Sequence, residues 1–168
     1  MPQPLGHDEG RVVALSVSDR KGVPKTNVPE VELVENHGIA GDAHAGPWHR
    51  QVSLLAIESI ETMRAKGADV GPGAFAENIT TEGLDLPSLQ IGDRIVIGGA
   101  ELEVTQIGKE CHDRCAIYQA VGDCVMPREG IFARVLAGRR VRVGDGVVLH
   151  RVLRTRQGYG RVYRRAPR

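Results

Sequence analysis

Long apolar runs are missing from this 168-residue chain. The longest, around residues 52–57, falls far short of the ~18 residues a membrane-spanning helix needs, which excludes that class. No basic and apolar leader opens the sequence. Met1-Pro2-Gln3-Pro4-Leu5-Gly6-His7-Asp8-Glu9 stands there instead, so the expectation is a cytoplasmic protein that is not secreted. Cysteine is scarce, at three residues, all between positions 111 and 124. An odd, clustered set argues against a disulfide framework and for thiol chemistry or metal binding in a reducing compartment. Neither Gly-x-Gly-x-x-Gly nor Gly-x-x-x-x-Gly-Lys-Ser/Thr occurs, so nucleotide-binding fingerprints are absent. Aromatic residues number only six, and no repeat of fixed period is present.

What is present is an ordinary globular balance, 41% hydrophobic and 26% charged. The length suits a single domain, and a domain of about 150 residues buries roughly 68–70% of its unfolded surface without covalent staples. The 21 glycines and 9 prolines, spread along the whole chain, indicate many tight turns between short strands. The net charge of +1 conceals an asymmetry. From Arg151 to Arg168 there are seven arginines and no acid, leaving 15 of the 22 basic groups against all 21 acidic groups in the remainder. Tyr159 and Tyr163 interleave that basic stretch, but a solvated, flexible extension is the simpler reading than a nucleic-acid-binding arm.

Alternation of apolar and polar residues predicts strands over residues 11–18, 31–35 and 51–56, then 78–80, 131–136, 140–143 and 147–152. Residues 24–29 and the stretch punctuated by Gly38, Gly41 and Gly46 read as loops. Residues 91–107 read as a hairpin over Gly98-Gly99. One helix is expected over residues 56–66, where Ile57, Ile60 and Met63 recur at helical spacing and Gly67 stops it. Short strands with one or two short helices predict a mostly β fold, a closed or nearly closed β-barrel. The expected organisation is a lead-in at 1–10, a barrel domain at 11–153 and the Arg-rich tail at 154–168.

Chemistry is concentrated in Gly108-Lys109-Glu110-Cys111-His112-Asp113-Arg114-Cys115, with Cys124 following. A thiol acts as nucleophile or sulfur carrier when nearby cations lower its pKa, and Lys109, His112, Arg114 and Arg128 provide them. Zinc is the rival reading, with Cys111, His112, Cys115 and Cys124 as four ligands. On an extended strand Cys111 and Cys115 would lie about 13 Å apart, so a shared metal requires a turn or helix there. A second cluster, Gly41-Asp42-Ala43-His44-Ala45-Gly46-Pro47-Trp48-His49-Arg50-Gln51, suits an anion or phosphate, because glycine exposes backbone amides beside His and Arg donors.

Several strings together resemble one pattern, that of the MOSC domain found at the C-terminus of molybdenum cofactor sulfurases. They are Gly38-Ile39-Ala40-Gly41-Asp42-Ala43-His44, His49-Arg50-Gln51-Val52-Ser53-Leu54 and Glu77-Asn78-Ile79-Thr80-Thr81-Glu82-Gly83. Ile91-Gly92-Asp93 follows, then the run from Glu103-Val104-Thr105-Gln106-Ile107 to Cys111-His112. Met126-Pro127-Arg128-Glu129-Gly130-Ile131-Phe132-Ala133-Arg134-Val135 and Val143-Gly144-Asp145 complete the set. The resemblance implies a MOSC barrel, similar to the β-barrel domain of pyruvate kinase, over residues 11–153. It implies a cysteine after the Val-Thr-Gln strand that carries sulfur or ligates molybdenum. Cys111 is the first choice and Cys115 the second, with His112 beside them. His44, His49, Arg50, Asn78, Arg128 and Arg134 would cradle the phosphate of the pterin cofactor.

The sequence carries neither the partner barrel nor the desulfurase domain of the larger relatives, so pyridoxal phosphate is expected only on a partner. The resemblance implies a carrier that binds the molybdenum cofactor or a precursor and holds sulfur as a Cys111 persulfide. Its expected partners are a cysteine desulfurase or other sulfur donor, and molybdenum-cofactor enzymes or biosynthesis proteins, with no membrane and no nucleic acid. Two alternatives are a molybdenum-dependent reductase of N-hydroxylated compounds and a non-catalytic cofactor- or metal-binding module.

Overall fold

The computed structural model describes residues 8–108, 122, 124–154 and 161–163. Strands β1 (Glu9–Val17), β2 (Thr26–Val28), β3 (Glu30–Val34), β4 (Gly38–Ile39) and β5 (Val52–Ala56) precede helix α1 (Ile57–Ala65). Strand β6 (Ile79–Glu82), a 3₁₀ turn at Leu86–Ser88, β7 (Arg94–Ile97) and β8 (Ala100–Ile107) follow. After these come α2 (Met126–Glu129), β9 (Ile131–Ala137), β10 (Arg140–Arg142), β11 (Gly146–His150), β12 (Val152–Arg154) and β13 (Arg161–Tyr163). Seven strands close a ring in the order β1-β11-β7-β8-β9-β5-β6, the expected mostly β barrel.

Closure rests on β1, which hydrogen-bonds on both edges. One edge pairs with β6 from Arg11↔Glu82 to Leu15↔Ile79. The other takes β11 at residues 9–11 and β2 at residues 15–17. Strand β2 lies where a loop was expected. Its three residues show no apolar alternation, and they are extended because β11 leaves the far half of the β1 edge uncovered. Strand β4 is likewise a two-residue addition to β3, in the stretch expected to be loop. The Gly98-Gly99 turn joins Ile97 to Ala100 with positive φ at both residues (53° and 92°), as a two-residue hairpin turn requires.

All ring pairings are antiparallel except β5–β6. Parallel neighbours need a crossover, and α1 lies in it. Inside the ring Val12, Leu15, Val52, Leu54, Ile79, Ile95, Leu102, Ala133 and Leu149 form the main core. Outside it, α1 lays Ile60 and Met63 on Leu55 and Phe132, with Phe75, Cys124, Val125 and Met126 beside them. Strand β5 is therefore buried on both faces, which accounts for its unbroken burial. Helix α2 is the second short helix, and β13 pairs with β12 within the basic stretch read as a flexible extension. Among the described residues no helix is long and apolar enough to cross a membrane.

Leu54 is fully buried inside the ring, so Leu54→Ala should lower the unfolding free energy by about 2–5 kcal/mol. Val143→Ala, at an exposed position, should stay within about 0.5 kcal/mol of the parent. Urea unfolding measures both.

Candidate functional site

Between β4 and β5 the chain runs without regular structure and lays its polar side chains against the outer face where β8 meets β9. The β8–β9 register slips between Val104 and Gln106, leaving Thr105 as an extra residue. The Thr105 hydroxyl donates to the His49 carbonyl, and Gln106 Oε1 lies 3.0 Å from His49 Nε2. A bulge thus aims two consecutive side chains at one loop residue.

Trp48 is the hub of this surface. Its indole N–H donates to the His44 carbonyl (2.7 Å). The His44 ring lies nearly parallel to the indole at 6.5 Å, and His49 meets it edge-on at 5.7 Å. Lys21 Nζ sits 4.6 Å from the indole centroid and the Arg50 guanidinium 5.0 Å, while Arg50 also lies 5.7 Å from the Phe132 ring. Cation–π attraction holds both cations on the indole. Arg50 Nε is shielded from solvent yet has no hydrogen-bond partner among the described residues. A buried donor left unpaired costs about 1–3 kcal/mol, and none of the described residues offers Arg50 Nε an acceptor.

Beneath the loop lies a buried ion pair. Lys25 Nζ is 2.9 Å from Asp42 Oδ1, and both side chains are completely inaccessible. Asp42 also accepts the Ser18 N–H (3.0 Å) and the His44 N–H (3.1 Å). Burial opposes ionisation of Asp42, but Lys25 and the two backbone donors outweigh it and hold the pKa below the usual 3.8. Lys25 further contacts Ser18 Oγ and His44 Nδ1, each at 3.0 Å. Its backbone N–H donates to Gly73 O (2.8 Å). That bond links the pair to Glu77, which accepts the N–H groups of Gly73 and Phe75. Burial dominates at Glu77 and pushes its pKa up to about 7 despite these donors.

His44, His49 and Arg50 therefore come together around Trp48. Asn78 has a different place. It is fully buried, its amide oxygen takes the Ser53 N–H (3.0 Å), and its amide nitrogen donates to Ser16 O (3.1 Å). That amide ties β1 to β5 through β6. Arg134 is exposed two residues along β9 from Phe132, so it shares the outer face, and it pairs with Glu103 at 3.1 Å. Arg128 is exposed on α2, whose Pro127 carbonyl lies under Gly108. Gly108 has φ of 73°, and a Cβ there would stand 2.1 Å from Pro127 O, so glycine alone fits. The Gln106 side chain donates to Gly108 O (2.9 Å), fixing the chain where the cysteine segment begins.

Cys111, His112 and Cys115 lie outside the described residues. Cys124 is buried among Val125, Met126 and Phe132, and no group of three or more ligating residues able to hold a metal is found among the described residues. Sequence reasoning passed over Lys21, Lys25 and Gln106. Lys25 and Asp42 are 17 positions apart, and no local pattern connects them. Trp48, the single tryptophan of the chain, and Gln106 both stood within quoted strings, but neither was given a role there.

The barrel and the loop that carries the histidines define a class. The chain belongs to the MOSC domain family, whose model matches residues 41–148. No curated protein matches the chain. Among solved structures it is similar to the YuaD protein from Bacillus subtilis, at a TM-score of 0.73 and 21% identity over 86% of this chain and 97% of that one. It is also similar to YiiM from Geobacillus stearothermophilus (TM-score 0.62, 22% identity, 83% of this chain and 74% of that one). YiiM from Escherichia coli follows at 0.58 and 22%, over 86% and 71%. At such identities the likeness is one of fold.

Removing one partner of a buried pair leaves an uncompensated charge. Asp42→Asn should therefore cost about 3–5 kcal/mol in urea unfolding, and Lys25→Met/Asp42→Asn together should cost less than Asp42→Asn alone. Because the folded Asp42 pKa is depressed, its contribution is complete above the ordinary 3.8 and disappears as pH falls through the lower folded value. Glu77 acts in the opposite sense. Its folded pKa of about 7 lies above the reference 4.5, so stability falls as pH rises from 4.5 through 7. Glu77→Gln should flatten that slope in urea midpoints measured from pH 5 to 8, and an unchanged slope would refute the assignment.

Proposed function

We propose that this MOSC protein binds the molybdenum cofactor or a precursor on the Trp48 face and carries sulfur as a persulfide on Cys111. The observation that carries the reading is the unpartnered, shielded Nε of Arg50, set among Lys21, His44 and His49. This face adjoins the strand end at Gly108, from which the cysteine segment departs. That donor set fits the phosphate of a pterin cofactor, because guanidinium and imidazole N–H groups bond anionic oxygens by charge-assisted contacts. Arg50 and His49 would hold the phosphate, with His44 beside them and Arg128 and Arg134 at the margin. When bound, the cofactor would supply the metal centre that accepts sulfur.

The chain's own part begins with the Cys111 thiolate, which the cationic side chains near it in sequence, Lys109, His112 and Arg114, would favour. It attacks the terminal sulfur of a donor persulfide, the donor S–S bond breaks, and the donor leaves as a thiolate that takes up a proton. A new S–S bond forms on Cys111, and the exchange needs no external oxidant. The donor is a cysteine desulfurase or an equivalent persulfide protein, and pyridoxal phosphate would reside there. The acceptor is a molybdenum-cofactor enzyme or biosynthesis protein, and the chemistry requires a reducing compartment such as the cytoplasm.

Intact-mass measurement after incubation with a cysteine desulfurase and cysteine tests the reading. A gain of about 32 Da that maps to Cys111, vanishes on reduction and is lost in Cys111→Ala is expected. A gain mapping to Cys115 would move the role to that residue. No gain, together with stoichiometric molybdenum and reduction of N-hydroxylated compounds, would overturn it in favour of a reductase. Arg50→Ala should weaken retention of the pterin on purification from a cofactor-producing host by on the order of tenfold to a hundredfold, the worth of a charged hydrogen bond.

A further inference from the structure

The hydrogen bonds of the β8 bulge determine what His49 can do. The Gln106 side-chain amide nitrogen lies 2.9 Å from Gly108 O. A carbonyl oxygen only accepts, so the NH₂ end of the carboxamide is held there and the group has one orientation. Its other end, Oε1, faces His49 Nε2 at 3.0 Å. An amide oxygen also only accepts, so Nε2 carries the ring proton. The Thr105 hydroxyl, from the same bulge, holds the His49 carbonyl and so fixes the backbone from which the ring springs. Nδ1, on the ring edge nearest that backbone, has no partner among the described residues, and His49 is exposed.

We propose that Gln106 is a positioning residue that commits His49 to the Nε2–H tautomer, so that His49 joins a bound oxyanion only by taking up a proton on Nδ1. The proton-uptake half rests on the reading of the Trp48 face as an anion site. In neutral His49 the uncommitted nitrogen presents a lone pair, which repels a phosphate or sulfate oxygen. Once Nδ1 is protonated, the ring donates at both nitrogens, to Gln106 Oε1 and to the anion, and neither bond displaces the other. The charged groups near the ring among the described residues are Lys21 and Arg50, both on the indole that His49 meets edge-on. The titratable His44 ring lies beside the same indole. Strand β8 contributes the uncharged Thr105 and Gln106, and from β9 Arg134 shares the outer face, paired with Glu103. A dianion seated among these cations favours the charged form of a neighbouring imidazole. Anion binding is thereby linked to pH and tightens as pH falls, because the proton enters with the anion.

Long-range proton–nitrogen correlation spectra of ¹⁵N-labelled protein read both halves, with the His49 ring assigned through His49→Gln. Ligand-free protein at pH 8 should show a protonated Nε2 and a bare Nδ1. Gln106→Leu should mix the tautomers, and Gln106→Glu, which keeps an acceptor at that place, should restore the single one. A proton on Nδ1 in the ligand-free parent at pH 8 overturns the proposal, and that reading decides it even if a variant does not fold. Sulfate is the probe for the second half, because its own charge is constant across the imidazole range. Its binding is followed by the fluorescence of Trp48, and affinity should fall by up to about tenfold per pH unit once His49 is neutral. Just above the His49 titration, saturating sulfate should bring a proton onto Nδ1. Fluorescence that responds while Nδ1 stays bare overturns the proton uptake and leaves the anion site standing. No response in either overturns the anion-site reading on which the uptake rests, and the tautomer result then stands separately.

Discussion

The double use of β1 is the constraint on which the rest of the architecture depends. A sheet of seven strands has two open edges, and unpaired edges invite association. By pairing with β6 on one side and with both β11 and β2 on the other, β1 removes those edges and encloses an aliphatic core. The cost is a register irregularity between Val12 and Ala14, which bends the strand where it passes between its neighbours. Ring closure also leaves β5 and β6 parallel, and the crossover this demands places α1 on the outer face. The second apolar cluster, from Leu55 to Phe132, follows from that placement.

Polar order is arranged around the same strands. Asn78, immediately before β6, joins Ser53 of β5 to Ser16 of β1, so its amide acts as internal cross-bracing. Two residues beyond Ser16, Ser18 enters the buried network of Lys25, Asp42 and His44. A buried ion pair contributes little net stability when compared with apolar packing, yet it enforces one geometry because any misplacement leaves a charge unpaired. Here that geometry fixes the loop bearing Trp48, His49 and Arg50 against the bulge at Thr105. The cationic groups of Lys21 and Arg50 gather on the Trp48 indole, and Arg50 reaches from there to Phe132 on β9.

Much of this was legible along the chain. The Gly98-Gly99 hairpin, the helix ended by Gly67 and the alternation in β7, β9 and β11 all depend on neighbours within a few residues. Strands β2 and β4 were not legible, because three and two residues without apolar alternation become extended only when a strand from elsewhere offers its edge. The grouping of His44, His49 and Arg50 followed from one short string. Lys25 carried no such signal, Gln106 stood in a quoted string without a role, and nothing local distinguishes the Asn78 amide that braces strands from an amide that binds a ligand.

The sequence by itself determined the strand-rich class, the MOSC membership and the identity of the chemically able residues, since alternation, turn glycines and spaced motifs are local properties of the chain. Tertiary structure alone decided which of those residues gather around Trp48 and which hold the barrel together. It placed Lys25 against Asp42 and His44, and His49 against Gln106, across 17, 19 and 57 positions. Burial and hydrogen-bond partners are properties of neighbours in space, and ring closure chooses those neighbours.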